Sequence, residues 1–254
     1  MIPDPDPDLA LALQLAEAAA AISLAHFRTE LVVERKPDST PVTEADRAVE
    51  AELRRLLADA RPEDSILGEE LGTTGDSSRR WILDPIDGTK NYSRGIPVWA
   101  TLIGLEEDGE VRVGVVSAPA LGLRWWATRG SGAFAAHAGR DALHVSSVGR
   151  IEDAVLNFAL DRKPPDIAWR AWHARGLGDF WAHMLVAEGA VEGAVDAVGV
   201  NIWDLAAVQV IVEEAGGRLS DFAGEARLDG GTAVTSNGLV HDELLAALRE
   251  TSGR

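Results

Sequence analysis

Cysteine is absent from the chain. Disulfides, thiolate catalysis and cysteine-based zinc sites are therefore excluded. Basic residues are few: 24 Lys and Arg stand against 41 Asp and Glu, a formal net charge of −17 over 254 residues. That balance argues against nucleic acid or an anionic membrane as the main partner. A phosphate-bearing substrate would need metal cations to screen its approach. A basic signal-peptide start is also missing, because Met1 to Asp8 alternates Pro and Asp. A membrane span needs roughly 20 strongly apolar residues. Residues 9–27 are rich in Ala and Leu but include Gln14, Glu17 and His26, so they read as a packed helix and the expected compartment is the cytoplasm. None of the six histidines sits at metal-ligand spacing, and all read as surface or core residues. There is no internal repeat. The length allows a sizeable core, in one large domain or two small ones.

The most informative stretch is Trp81-Ile82-Leu83-Asp84-Pro85-Ile86-Asp87-Gly88-Thr89-Lys90-Asn91. An apolar strand runs into two carboxylates three residues apart. Pro85 fixes φ and removes a donor, so the strand is expected to stop there. Gly88 permits a tight turn and leaves backbone N–H groups open to an anion. Asp84, the carbonyl of Ile86 and Asp87 can face one point, and hard oxygens at one point suit Mg²⁺. A turn with a capping aspartate explains the same residues equally well.

Along the chain, a helix over 9–27 precedes a β-like run at 31–36 and a loop at 37–41. Thr43 with Asp46 resembles a capping box opening a helix to about Ala60. Lys36 alone reads as a solvated charge, and Glu69-Glu70, after the short strand 65–67, as a solvent-facing pair. Residues 72–80 are polar and Gly-rich, hence loop. Runs 98–105, 111–117 and 124–128 form an antiparallel meander with an Asp-Gly turn. Trp125 and Trp126 point to opposite faces, one into the core and one over an edge or partner surface. A composition shift near 144–150 divides the chain into halves, 1–145 and 146–254. The second half reads as a strand at 154–160, a short helix over 166–175, a helix over 178–189, and a helix over 205–215 closed by Gly216-Gly217. A hairpin (217–222 with 225–228), a strand at 233–235 and a closing helix at 241–249 follow. Asp204 occupies an N-cap position, and Asp179 would cap its helix after Gly178.

Glu69, Asp84, Asp87 and Asp204 thus stand at element ends, where loops gather into sites. Packed together without cations, their pKa values would rise until some protonated. Divalent metals remove that objection, and metal-assisted phosphoryl chemistry is a natural use of such a set. The aspartyl-phosphate route is disfavoured, since it wants Asp-x-Asp-x-Thr and here Pro-Ile separates the aspartates.

Gly68-Glu69-Glu70, Trp81 through Thr89, and Trp203-Asp204 followed by Ala206-Ala207 resemble the three signatures of the inositol monophosphatase superfamily. Pro41-Val42-Thr43-Glu44-Ala45-Asp46, with Lys36 upstream, is similar to its N-terminal motif. Within the family the chain is most similar to bacterial histidinol-phosphate phosphatases. This rests on Lys36-Pro37-Asp38, Arg94-Gly95-Ile96-Pro97-Val98-Trp99-Ala100, Gly114-Val115-Val116-Ser117-Ala118-Pro119-Ala120 and Gly178-Asp179-Phe180, among other stretches.

The resemblance implies an α/β (α+β) chain folded as a layered α-β-α-β-α sandwich of the inositol monophosphatase and sugar phosphatase type. The N-terminal half would carry most metal ligands and the C-terminal half Asp204 and the substrate side. It implies Glu69, Asp84 and the Ile86 carbonyl at a first Mg²⁺, Asp84, Asp87 and Asp204 at a second, and Glu69 at a third, with Mn²⁺ able to substitute. Gly88 and Thr89 would bind phosphate through backbone N–H groups. Thr89, Glu69 and Asp46 would position and deprotonate the attacking water. Asp179 would face the ammonium of L-histidinol phosphate, with Asp204 also on the substrate side. A small-molecule phosphate ester is the implied partner, and a homodimer the implied assembly. Inositol 1-phosphate and fructose 1,6-bisphosphate are the rival substrates, and a silent metal- or anion-binding protein the rival of another class. In one departure from these relatives, the segment before Gly178 is short and contains Pro164-Pro165, so the pocket would be more open or completed by a neighbouring subunit.

Overall fold

A computed structural model describes residues 6–30, 33–36, 41–136, 142–159, 166–197 and 199–252. The expectations on Met1 to Pro5, Leu31-Val32, residues 37–40, Leu160 and Pro164-Pro165 lie outside them. In chain order the elements are α1 (Pro7–His26), β1 (Val33–Arg35), β2 (Pro41–Thr43), α2 (Glu44–Ala60), β3 (Ser65–Gly68), β4 (Gly72–Thr74), β5 (Arg79–Asp87) and α3 (Thr89–Tyr92). Then come β6 (Ala100–Glu107), β7 (Glu110–Ala118), β8 (Leu123–Thr128), β9 (Ala133–Ala135), β10 (Val155–Phe158), β11 (His173–Arg175), α4 (Asp179–Ala187), β12 (Gly193–Asp196), α5 (Ile202–Glu214), β13 (Arg218–Ser220), β14 (Ala233–Ser236) and α6 (His241–Ser252).

Two sheets organise these elements. A seven-stranded sheet has the order β4-β3-β5-β6-β7-β8-β9, and a five-stranded sheet the order β11-β10-β12-β14-β13. The central strands β5, β6 and β7 are buried on both faces, which is why they read as nearly unbroken apolar runs. Trp81, Leu83, Ile103, Val113 and Val115 pack against α1 and α2, while Ile82, Leu102 and Val116 face α4 and α5. The five-stranded sheet lies beyond α4 and α5, and α6 covers its outer face through Leu244, Leu245 and Leu248. The result is a five-layer α-β-α-β-α sandwich. α1 is long and apolar enough to cross a membrane by length and composition alone. Its Ala12, Leu15, Ala16 and Ala19 are instead buried against α2 and the first sheet, as in a core helix.

Several local expectations are corrected. β5 does not stop at Pro85 but runs through it to Asp87, the ladder to β6 slipping register between Asp84 and Asp87; a strand tolerates proline at such an irregularity. Residues 72–80 are not all loop, since β4 pairs antiparallel with β3 at the sheet edge. The helix over 166–175 is a short 3-10 turn, Asp166–Trp169, followed by the edge strand β11. No second strand forms at 225–228; β13 pairs with β14, and Asp221 N–H donates to the Glu225 carbonyl at 2.9 Å in a compact turn. Trp125 enters the core between the sheets. Trp126 packs on the other face, on the α1–α2 side, stacked on Phe134 at 6.2 Å.

Candidate active site

β5 carries Asp84 and Asp87 out of the sheet. Thr101 Oγ1 donates to the Pro85 carbonyl at 2.8 Å and holds the irregular segment on β6. Gly88 then reverses the chain at φ 83°, where a Cβ would lie 3.0 Å from the Val98 carbonyl oxygen, so the turn requires glycine. Behind it, Tyr92 packs with Phe27 and Trp99, and its hydroxyl donates to the Ser23 carbonyl at 2.8 Å. The turn is thereby tied to α1.

α5 brings the third aspartate. Asn201, not Asp204, is the N-cap. Asp204 is the third helical residue, and its Oδ2 accepts the Asn201 N–H at 2.6 Å in a capping box. α5 approaches because Gly104 and Gly114 face each other across β6 and β7. A Cβ at Gly104 would lie 2.9 Å from Ala206 Cβ, and one at Gly114 would lie 2.6 Å from the Ala207 carbonyl oxygen. One carboxylate oxygen from each of Asp84, Asp87 and Asp204 consequently lies within 4.8 Å of the others.

The electrostatics of this cluster are unfavourable by themselves. Asp84 Oδ1 is buried and has no hydrogen-bond partner among the described residues. Burial, then the charges of Glu69, Asp87 and Asp204, push the Asp84 carboxyl well above its usual range. Burial, then Asp179 and Asp204, do the same to Asp87, although Phe180 N–H donates to its Oδ2 at 2.5 Å. Asp204 is pushed up to about 7, chiefly by burial, against the opposing Asn201 N–H. An orphaned buried carboxylate oxygen among like charges is the donor set that a hard divalent cation satisfies. The Ile86 carbonyl accepts from Thr89 Oγ1 at 3.0 Å, and a carbonyl has a second lone pair for a cation.

Glu69 and Glu70 do not face solvent freely. Lys36 bridges them, with Nζ 2.7 Å from Glu69 and 2.5 Å from Glu70. Burial opposes the Lys36 charge, but its two carboxylate partners outweigh that and hold it firmly protonated. Glu50, which carries no motif signal, shapes the turn. Fully buried on α2, it accepts the N–H groups of Glu70 and Leu71 at 2.7 and 3.1 Å and the Arg54 Nε–H at 2.8 Å. A Cβ at Gly68 would lie 2.0 Å from Glu50 Oε1, so this carboxylate explains the glycine before Glu69. Asp46 has both expected contacts. Its Oδ2 accepts the Thr43 N–H at 2.8 Å, closing the capping box of α2, and its Oδ1 is 3.4 Å from Thr89 Oγ1. The Thr89 hydroxyl sits closer to the Ile86 carbonyl.

A cleft of about 570 Å³ opens over Lys36, Glu69, Gly88, Thr89, Asp179 and Asp204. It adjoins a recess of about 160 Å³ that shares Lys90, Asp179 and Asp204 with it. Asp179 is not a cap: Gly178 precedes the helix as N-cap, and Asp179 is its first residue at φ 57°. Its Oδ2 would lie 3.4 Å from a Cβ on Gly88, beside the turn. A second cleft of about 570 Å³, near Arg80, Arg129 and Arg227, lacks such convergence, because each guanidinium is paired with a carboxylate. His183, ordinary by its sequence, lines the recess. No spacing signal marks it, since its partners lie on β12 and β14.

The family model described as "Inositol monophosphatase family" matches residues 4–254. The histidinol-phosphatase of Mycobacterium tuberculosis is 51% identical over 231 residues, covering 86% of this chain and 88% of that protein. The histidinol-phosphatase of Streptomyces coelicolor is 47% identical over 237 residues, covering 87% and 88%. Among solved structures, an IMPase of Thermotoga maritima superposes with a TM-score of 0.87 at 31% identity, covering 98% of this chain and 99% of that one.

Proposed function

The chain belongs to the inositol monophosphatase family and is a phosphomonoesterase; on that premise we propose that its substrate is L-histidinol phosphate, hydrolysed to L-histidinol and phosphate, and that its acidic cluster holds Mg²⁺. The observation that carries the metal reading is the convergence of Asp84, Asp87 and Asp204 around an oxygen with no proton donor among the described residues. Glu69, Asp84 and the Ile86 carbonyl would hold one ion, and Asp84, Asp87 and Asp204 another; Mn²⁺ is the natural substitute. Bound there, the metal supplies positive charge against the phosphate dianion and acidifies water from about 15.7 toward neutrality.

The protein's own groups do the rest. Gly88 and Thr89 turn their backbone N–H groups toward the phosphate. Glu69, held by Lys36 at one oxygen, orients the attacking water together with the Thr89 hydroxyl, and Asp46 behind Thr89 takes up the proton. Asp204 lines the substrate side as well as the cluster. Asp179, beside the turn that receives the phosphate, suits an ammonium two carbons from the ester oxygen. Net charge and the acidic cleft speak against a purely anionic partner such as nucleic acid.

The test is a panel of kcat/KM values with saturating Mg²⁺. Histidinol phosphate is expected at least tenfold above inositol 1-phosphate and fructose 1,6-bisphosphate, and the reverse ranking overturns the substrate. We further read the halves 1–145 and 146–254 as units that each bring one side of the site. We read the assembly as a homodimer, for sedimentation to check, and the compartment as the cytoplasm, in keeping with the packing of α1 inside the fold.

A further inference from the structure

The recess beside the cluster has a wall that the roles above leave unused. His183 on α4 is 2% exposed and spans two strands. Its Nε2 lies 2.8 Å from Asp196 Oδ2 at the end of β12, and its Nδ1 lies 2.8 Å from Thr235 Oγ1 on β14. A carboxylate only accepts, so Nε2 carries the proton and donates to Asp196; in the neutral ring, Nδ1 then accepts from the Thr235 hydroxyl. Thr235 is fully buried, and Ala194 of β12 pairs with it across the ladder. The imidazole is therefore fixed at both nitrogens, and it fixes Asp196 in turn. Asp196, 13% exposed, lines the recess but stands outside the Asp84–Asp87–Asp204 group. Four carboxylates (Asp87, Asp179, Asp196 and Asp204) line this space against the single ammonium of Lys90.

The two carboxylates that the metal group does not use differ in position. Asp179 borders both the open cleft and the Gly88 turn, whereas Asp196 borders only the inner recess. The recess, about 160 Å³, has room for one ring, since a cavity of about 150 Å³ admits benzene. Resting on the histidinol phosphate reading, we propose that Asp196, oriented by the positioning residue His183, receives a ring N–H of the substrate's imidazole and so makes the enzyme select a basic ring at the end remote from phosphate.

The experiment uses the full chain with saturating Mg²⁺ and compares histidinol phosphate, ethanolamine phosphate (ammonium, no ring) and phenylalaninol phosphate (ring, no N–H). A hydrogen bond to a charged group corresponds to a discrimination of about 10–100-fold. Asp196→Asn should lower the histidinol phosphate to ethanolamine phosphate ratio of kcat/KM by about that factor, mainly through KM. His183→Asn, which keeps a group near Thr235 but loses the donor to Asp196, should lower the ratio in the same direction. His183→Gln, whose amide reaches the Nε2 position, should restore most of it. Without any substitution, the unaltered enzyme should favour histidinol phosphate over phenylalaninol phosphate by a similar factor, so a misfolded variant does not shelter the idea. Equal rates for those two esters, or an unchanged ratio in Asp196→Asn, overturn the proposal while leaving the substrate standing. An unaltered enzyme that prefers inositol 1-phosphate overturns both.

Discussion

Two sets of buried carboxylates in this protein are opposites. Glu50 and Glu192 are surrounded by donors. Glu192 accepts the Val155 N–H at 2.6 Å and the Ser146 hydroxyl at 2.7 Å, and Glu50 accepts two backbone N–H groups and the Arg54 guanidinium. Asp84, Asp87 and Asp204 are surrounded mostly by one another. The first set is complete as protein and stabilises the fold. The second meets mostly burial and like charge, which disfavour its ionised form. The difference marks Asp84, Asp87 and Asp204 as the candidate functional acids without reference to sequence motifs.

Four measurements sharpen that contrast. The largest effect is expected for Asp84→Asn. Loss of several kcal/mol of charge stabilisation means about a 10³-fold or greater fall in kcat/KM, while the Tm of the chelated protein rises because one buried charge is gone. A lowered Tm would place Asp84 with the structural set. Next, Glu50→Ala breaks a buried ion pair and frees two backbone donors, so denaturant unfolding should show a loss of about 3 kcal/mol; kcat should also fall, since the Glu69 turn loosens. Third, Mg²⁺ at about 100 times its Kd should stabilise by about 2.7 kcal/mol, or roughly 5–10 °C in Tm. The pH dependence has a definite sign. Asp204 titrates at about 7 in the metal-free fold and at the ordinary aspartate value of 3.8 once unfolded, so the fold binds more protons than the unfolded chain between those values. Metal-free stability therefore falls as pH rises through that window, and the Mg²⁺ gain in Tm should be greater at pH 7.5 than at pH 5. The smallest effect is Glu192→Gln, which keeps the shape but sets an amide against two donors. About 1–2 kcal/mol of stability should be lost, with Mg²⁺ affinity unchanged by calorimetry.

The same contrast explains what the sequence could reveal. Asp84, Asp87 and Asp204 were legible because motif residues announce them, and the layered fold followed from the resemblance those motifs carry. The capping box at Thr43 was legible because it is local. Glu50 was invisible, since its partners lie 20 and 21 positions away on a turn. Lys36 read as solvated because its carboxylates are 33 and 34 residues distant. His183 gave no signal for the same reason. Asp204 was placed at the cap because a helix start is blurred by a turn, and the true cap, Asn201, also fits the rule. β5 outran its proline because the irregularity opposite β6 absorbs it, and a propensity rule contains no neighbouring strand.

Gly104 lies opposite Ile82, two residues before Asp84, and faces Gly114 across the next pair of strands. At these two points the sheet meets the helix of Asp204 through hydrogen atoms alone. A methyl group at either would act as a wedge, prising the helix off the sheet and widening the span between the acids it delivers and those on the strand. The spacing of the acidic cluster is thus set from the middle of the sandwich, by two glycines that stand outside it.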